Sequence, residues 1–147
     1  GRIDDYLRDV AHDARADVRE SDIIQSGTAI VKRAYALFNQ HGYEAVLLPA
    51  GMRGAYHAAD LAGADMTLSI HPRIQAMIAG LPEPFVERIN VPVEADVLKR
   101  LSRIPEFVRA YEPDGLKPAD FITFGAVQKT LAQFVETGWS PIESFEI

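Results

Sequence analysis

Residues 40–70 read QHGYEAVLLPAGMRGAYHAADLAGADMTLSI, and this run limits the folds open to the chain more than any other segment. Residues 45–48 form a short unbroken apolar run, the pattern of a parallel strand covered on both faces. Pro49, Ala50 and Gly51 end it. A helix is expected over about residues 53–62, with Ala55, Ala58, Ala59 and Ala62 as a small-residue face. Gly63 closes that helix, and residues 66–70 are the next strand. The carboxyl end of a strand leading into a helix N-terminus is where α/β proteins hold phosphates. An arginine at that point is an anomaly. A cation in a first helical turn opposes the macrodipole at about 0.3–1 kcal/mol unless an anion sits between them. Arg53 therefore asks for an anion, and Arg73, in the first turn after the second strand, repeats the pattern.

Around this run the chain reads as helical. Residues 1–10 form a short helix with Ile3, Leu7 and Val10 on one face. The Asp/Arg-rich stretch over 11–21 is a solvated loop or fraying helix. Ser26 is an N-cap for a helix to His41, with Ile30, Val31, Ala34, Leu37 and Phe38 as its buried stripe. Gly42 is its left-handed stop. Pro72 opens a further helix at a position where its missing N–H costs nothing, and Gly80 ends it. Residues 81–93 are an extended connector. A helix over 94–103 is broken by Pro105 and resumes to Tyr111. Residues 112–115 turn, and a last helix over 118–137 points Phe121, Phe124, Val127, Leu131, Phe134 and Val135 inward. The spacing also puts Tyr35 in the core, and His71 reads as a capping or packing residue. The apolar tail over 139–147 is expected to dock on a surface, with Trp139 and Phe145 as contact residues.

The totals exclude several classes. A net charge of −6 and a pI near 5.1 argue against nucleic acid and anionic membrane surfaces, whose partners carry basic patches. The absence of cysteine removes disulfides, zinc–thiolate sites and cysteine nucleophiles. The histidines lack metal-ligand spacing, and no apolar run approaches the ~20 residues of a membrane span. With no signal-peptide core near the start, a cytoplasmic location is expected. Two parallel strands alone would leave two open edges, so further strands are expected from outside this chain or from a partner.

As a set, His41-Gly42-Tyr43, the apolar run over 45–48, Ala50-Gly51-Met52-Arg53, Leu61-Ala62-Gly63-Ala64-Asp65 and the 66–70 strand with Pro72 resemble the C-terminal third of transaldolases. Gly1-Arg2-Ile3 resembles a further stretch of that family. The match covers about residues 1–80. It implies part of a (β/α)8 TIM barrel of the class I aldolase type: the last two βα units, seven and eight, with the preceding helix over 1–80, then a connector and C-terminal helices over 81–147. The whole chain, 1–147, would be a single partial domain.

The function implied by the resemblance is transfer of a dihydroxyacetone unit between sugar phosphates through a lysine Schiff base, with no metal or organic cofactor. Arg2 and Arg53 would clamp the substrate phosphate, and Gly51 stands where the family has a phosphate-binding serine. The family's catalytic lysine and carboxylates lie on earlier strands, so no catalytic residue is expected in this chain. Lys32, Lys99, Lys117 and Lys129 fall on helices or a turn. Alone, the chain is expected to be inactive. Its expected partners are a sugar phosphate and either a second copy or a complementing N-terminal half. The alternatives are a non-catalytic phosphate-binding or interaction module and one half of a split aldolase.

Overall fold

Helix α1 (Arg2–Asp13) turns Leu7 and Ala11 into the core, and Asp4 shares their face. The spacing i, i+3, i+7 puts all three on one stripe. The computed structural model describes residues 1–145. After α1 come α2 (Glu20–Ile23), α3 (Ser26–His41), α4 (Ala55–Asp60), α5 (Pro72–Ala79), α6 (Ala95–Leu101), α7 (Pro105–Tyr111), α8 (Gly125–Phe134) and α9 (Ser140–Glu143). A 3₁₀ turn (Pro118–Thr123) precedes α8 and a wider π turn (Val135–Trp139) follows it. No helix among the described residues is long and apolar enough to cross a membrane.

The core lies where α1, α2 and α3 meet α6 and α7. Leu7, Ala11, Ile23 and Ala29 pack there against Val97, Leu101, Ile104 and Phe107. Helices α6 and α7 are therefore part of the same core as the N-terminal ones. Local signals set most of their limits. Gly42 ends α3 at φ 63°, a left-handed conformation that costs glycine nothing. Pro72 and Pro105 stand in the first turns of α5 and α7. Ser26 does not cap α3: Gln25 holds that position, and the Ser26 hydroxyl is turned to Asp4.

The barrel expectation is overturned. The described residues are 59% helix, and no strand forms among them. The two expected strands do run side by side: the Thr67 N–H donates to the Leu47 carbonyl at 3.1 Å and the Ser69 N–H to the Pro49 carbonyl at 2.9 Å. A parallel ladder needs a reciprocal bond between these two, from the N–H of residue 49 to the Thr67 carbonyl. Residue 49 is proline and has no N–H to give. The pairing stays one-sided, and it is covered in part on one face only, where Leu47, Pro49, Leu68 and Ile70 are partly buried. Val46 and Leu48, read as doubly buried, are 66% and 61% exposed.

The C-terminal expectation also changes. One helix over 118–137 is replaced by three short segments, and only Phe124 of its expected inward residues is buried. Phe121, Leu131, Phe134 and Val135 are exposed, while Tyr35, Phe38 and Val127 are partly covered. Trp139, Ile142 and Phe145 of the tail are exposed as well, and residues 146 and 147 lie outside the described residues.

Candidate functional site

The one-sided pairing brings the ends of two loops together. Residues 51–53 and 69–71 line a cleft of about 680 Å³, to which α5 adds Pro72, Arg73, Ile74 and Met77. Arg53 and Arg73 both face it. His71 stands at the N-cap of α5, and its Nδ1 accepts from the Arg73 N–H at 3.1 Å. It caps, as its place in the sequence suggested.

Arg53 is not in a helical first turn. Helix α4 starts at Ala55 behind Gly54, which leaves Arg53 one residue before the cap. The dipole argument therefore does not apply to it. The anion it asks for is supplied within the chain: Nε and Nη2 donate to Asp5 Oδ2 at 2.9 and 2.6 Å, and Nη1 donates to the Gly51 carbonyl at 2.7 Å. Arginine has five N–H donors, so two remain for a second oxyanion. Asp5 is shared with Arg8 (Nη1 to Oδ1, 3.0 Å), and Arg8 is in turn held by Glu20 at 2.7 Å.

Beneath this exposed network lies a buried one. Asp4 is fully buried, and its Oδ1 accepts from the Ser26 hydroxyl at 2.8 Å and from the Gly27 N–H at 2.7 Å. A Cβ on residue 27 would stand 2.8 Å from that oxygen, so only glycine allows the approach. Asp4 Oδ2 lies 2.7 Å from His57 Nε2, and His57 is 4% exposed. His57 Nδ1 accepts from the Arg53 N–H at 3.1 Å. That bond puts the ring proton on Nε2, where it donates to Asp4.

Burial alone would push the Asp4 carboxyl up. Hydrogen bonds from His57 and Ser26 oppose it, and Asp4 is held below the usual carboxylate range. Asp5 balances in the same way, its burial more than offset by Arg53 and Arg8. Asp22, 1% exposed, is lowered chiefly by Arg100, which donates to both its oxygens at 2.7 Å. Depressed carboxyls stabilise the fold fully above their unfolded pKa values, and that contribution is lost as pH falls through the folded ones. The urea midpoint is therefore expected to hold from neutrality down to about pH 5 and to fall below about pH 4. A midpoint that rose on acidification would contradict these pairings.

The expected clamp is only partly assembled. Gly51 lies between Arg2 and Arg53: a Cβ there would be 3.6 Å from Arg2 Cγ and 3.8 Å from Arg53 Nη1. Gly51 has φ +71°, which a serine would adopt only under strain. The Arg2 guanidinium, however, turns to the C-terminal segment, where it meets the Gln133 amide and sits 5.2 Å from the Phe134 ring centre. No lysine lines the cleft. Lys32 instead donates to the carbonyls of Arg88 and Val91 at 2.8 and 2.6 Å, tying the connector to α3.

The buried Asp4–His57 pair escaped sequence reasoning. A signal was present, because Asp4 lies on the apolar stripe of α1 three residues before Leu7. Its partner, 53 residues away, left no such trace. No cluster of metal-ligating side chains occurs among the described residues. No family model, curated protein or solved structure matches this chain.

Proposed function

We propose that the chain carries the phosphate-binding part of a transaldolase-type enzyme, with the Schiff-base amine supplied by residues outside this sequence. The observation that carries the reading is the convergence of Arg53, from the loop before α4, and Arg73, from the first turn of α5, on one cleft. Arg53 reaches it with its guanidinium already oriented by Asp5 and two donors unused. Charge-assisted bonds from such a pair suit a phosphate monoester. They would hold and orient the sugar phosphate without taking part in bond making. The residue pattern shared with transaldolases over 1–80 supports the same substrate class.

A second reading, a phosphate-binding module without catalysis, is favoured by the absence of lysine from the cleft. Both readings share one binding test. In calorimetry, fructose 6-phosphate is expected to bind and fructose is not. Arg53→Ala is expected to weaken binding about 10- to 100-fold, the loss of one charge-assisted bond. Equal binding of the sugar and its phosphate, or an unaffected Arg53→Ala variant, would overturn the assignment. Borohydride reduction with the sugar phosphate is expected to leave the chain's mass unchanged. An adduct on Lys32, Lys99, Lys117 or Lys129 would place the nucleophile in this chain.

A further inference from the structure

The cleft arginine is held at both ends by neighbouring residues of α1. Asp5 takes the guanidinium directly. Asp4 acts through a relay: its Oδ2 faces His57 Nε2 at 2.7 Å, and His57 Nδ1 accepts the Arg53 amide at 3.1 Å. We propose that His57, locked by Asp4, is the positioning residue of the anion site, setting where the Arg53 main chain enters the cleft. The inference rests on the reading of the cleft as a phosphate site.

Three features fit this role better than mere core filling. His57 and Asp4 are 4% and 0% exposed, so water does not compete for their bonds. The Tyr56 ring, 4.3 Å from that of His57 and tilted by 36°, restricts the imidazole's rotation. The imidazole also uses both nitrogens, one as acceptor from the loop and one as donor to the helix, so neither bond can be reversed alone. Gly51, at φ +71°, turns the chain just before Arg53, and without the relay the Arg53 amide would have no partner within the chain among the described residues. The Arg53 main chain would then be free to move, and the guanidinium would keep only its bonds to Asp5 and the Gly51 carbonyl.

Two substitutions separate the halves of the relay. Asparagine places its amide oxygen at the depth of Nδ1 and can accept from Arg53, but it does not reach Asp4. Glutamine places its amide nitrogen at the depth of Nε2 and can donate to Asp4, but it leaves the Arg53 amide free. The Arg53 amide is followed by hydrogen exchange in ¹H–¹⁵N spectra without ligand, and fructose 6-phosphate affinity is followed by calorimetry. His57→Gln is expected to speed Arg53 amide exchange and to weaken phosphate binding by about tenfold. His57→Asn is expected to rescue both toward the wild-type values while lowering the melting midpoint. If both variants lowered the midpoint and left Arg53 exchange and affinity as in the wild type, His57 would be structural only and the proposal would fail. A wild-type chain that bound no fructose 6-phosphate would sink the reading of the cleft, whereas the ligand-free exchange of the Arg53 amide would still decide whether His57 positions it.

Discussion

Asp4→Ala is expected to destabilise the protein by about 3–5 kcal/mol, the scale for stranding several buried hydrogen-bond donors at once. The side chain is fully buried and receives the Ser26 hydroxyl, the Gly27 N–H and His57 Nε2. Truncation leaves those three donors facing apolar surroundings, and each buried orphan costs about 1–3 kcal/mol. The Ser26 hydroxyl can rotate to a new acceptor and a water can enter the space, which keeps the total below the sum. Asp4→Asn tests the logic further. Its oxygen keeps Ser26 and Gly27, but its amide nitrogen confronts the Nε2 proton of His57. The imidazole can shift that proton to Nδ1 only by giving up the Arg53 amide. One bond is lost either way, so the cost is expected to be about 1–2 kcal/mol. Urea denaturation of both variants checks the ranking; an alanine variant as stable as the wild type would mean the network is not formed.

Phe107→Ala is expected to cost about 3–5 kcal/mol, the range for deleting a core aromatic. Phe107 is fully buried on α7, stacked at 5.2 Å on Tyr111, within the cluster that joins α1 and α3 to α6. The surrounding Leu7, Leu101 and Ile104 are themselves fully or almost fully buried, and helices anchored on several sides collapse poorly into a cavity. Phe134→Ala is the contrast: Phe134 is 58% exposed, and its truncation, which removes the Arg2 contact, is expected to cost less than about 1 kcal/mol. The comparison also tests whether the helices past residue 81 belong to the N-terminal core. If they do, Phe107→Ala lowers the midpoint of one cooperative transition. If they fold separately, α1 and α3 would keep their own transition unchanged.

The elements legible in the sequence were those set by local chemistry. α3 with Gly42, α5 between Pro72 and Gly80, and the break at Pro105 rest on caps and proline geometry that a few residues specify. The strands were misread because a run such as residues 45–48 signals burial only if something covers it. Here Pro49 interrupts the ladder, and Val46 and Leu48 face outward. The long C-terminal helix failed similarly: the spacing of Phe121, Leu131 and Phe134 promised an apolar face, but only Phe124 meets the core. Of the site, Arg53 and Gly51 were legible as neighbours at a turn, and Arg73 as a second cation at a helix start. Arg2 was legible as a residue near them, but not the direction of its guanidinium. Asp4 with His57 and Asp22 with Arg100 are 53 and 78 residues apart, and charge-rich helices read as solvated until the fold brings their partners together.

The most direct test of the account is a ¹H–¹⁵N titration of the wild-type chain with fructose 6-phosphate. The amides of Gly51, Arg53, Ser69 and Arg73 are expected to shift together along one saturable curve. Fructose at the same concentrations is expected to leave them in place. Saturable shifts confined to residues away from this cleft, or none at all, would contradict the assignment of a phosphate site to Arg53 and Arg73.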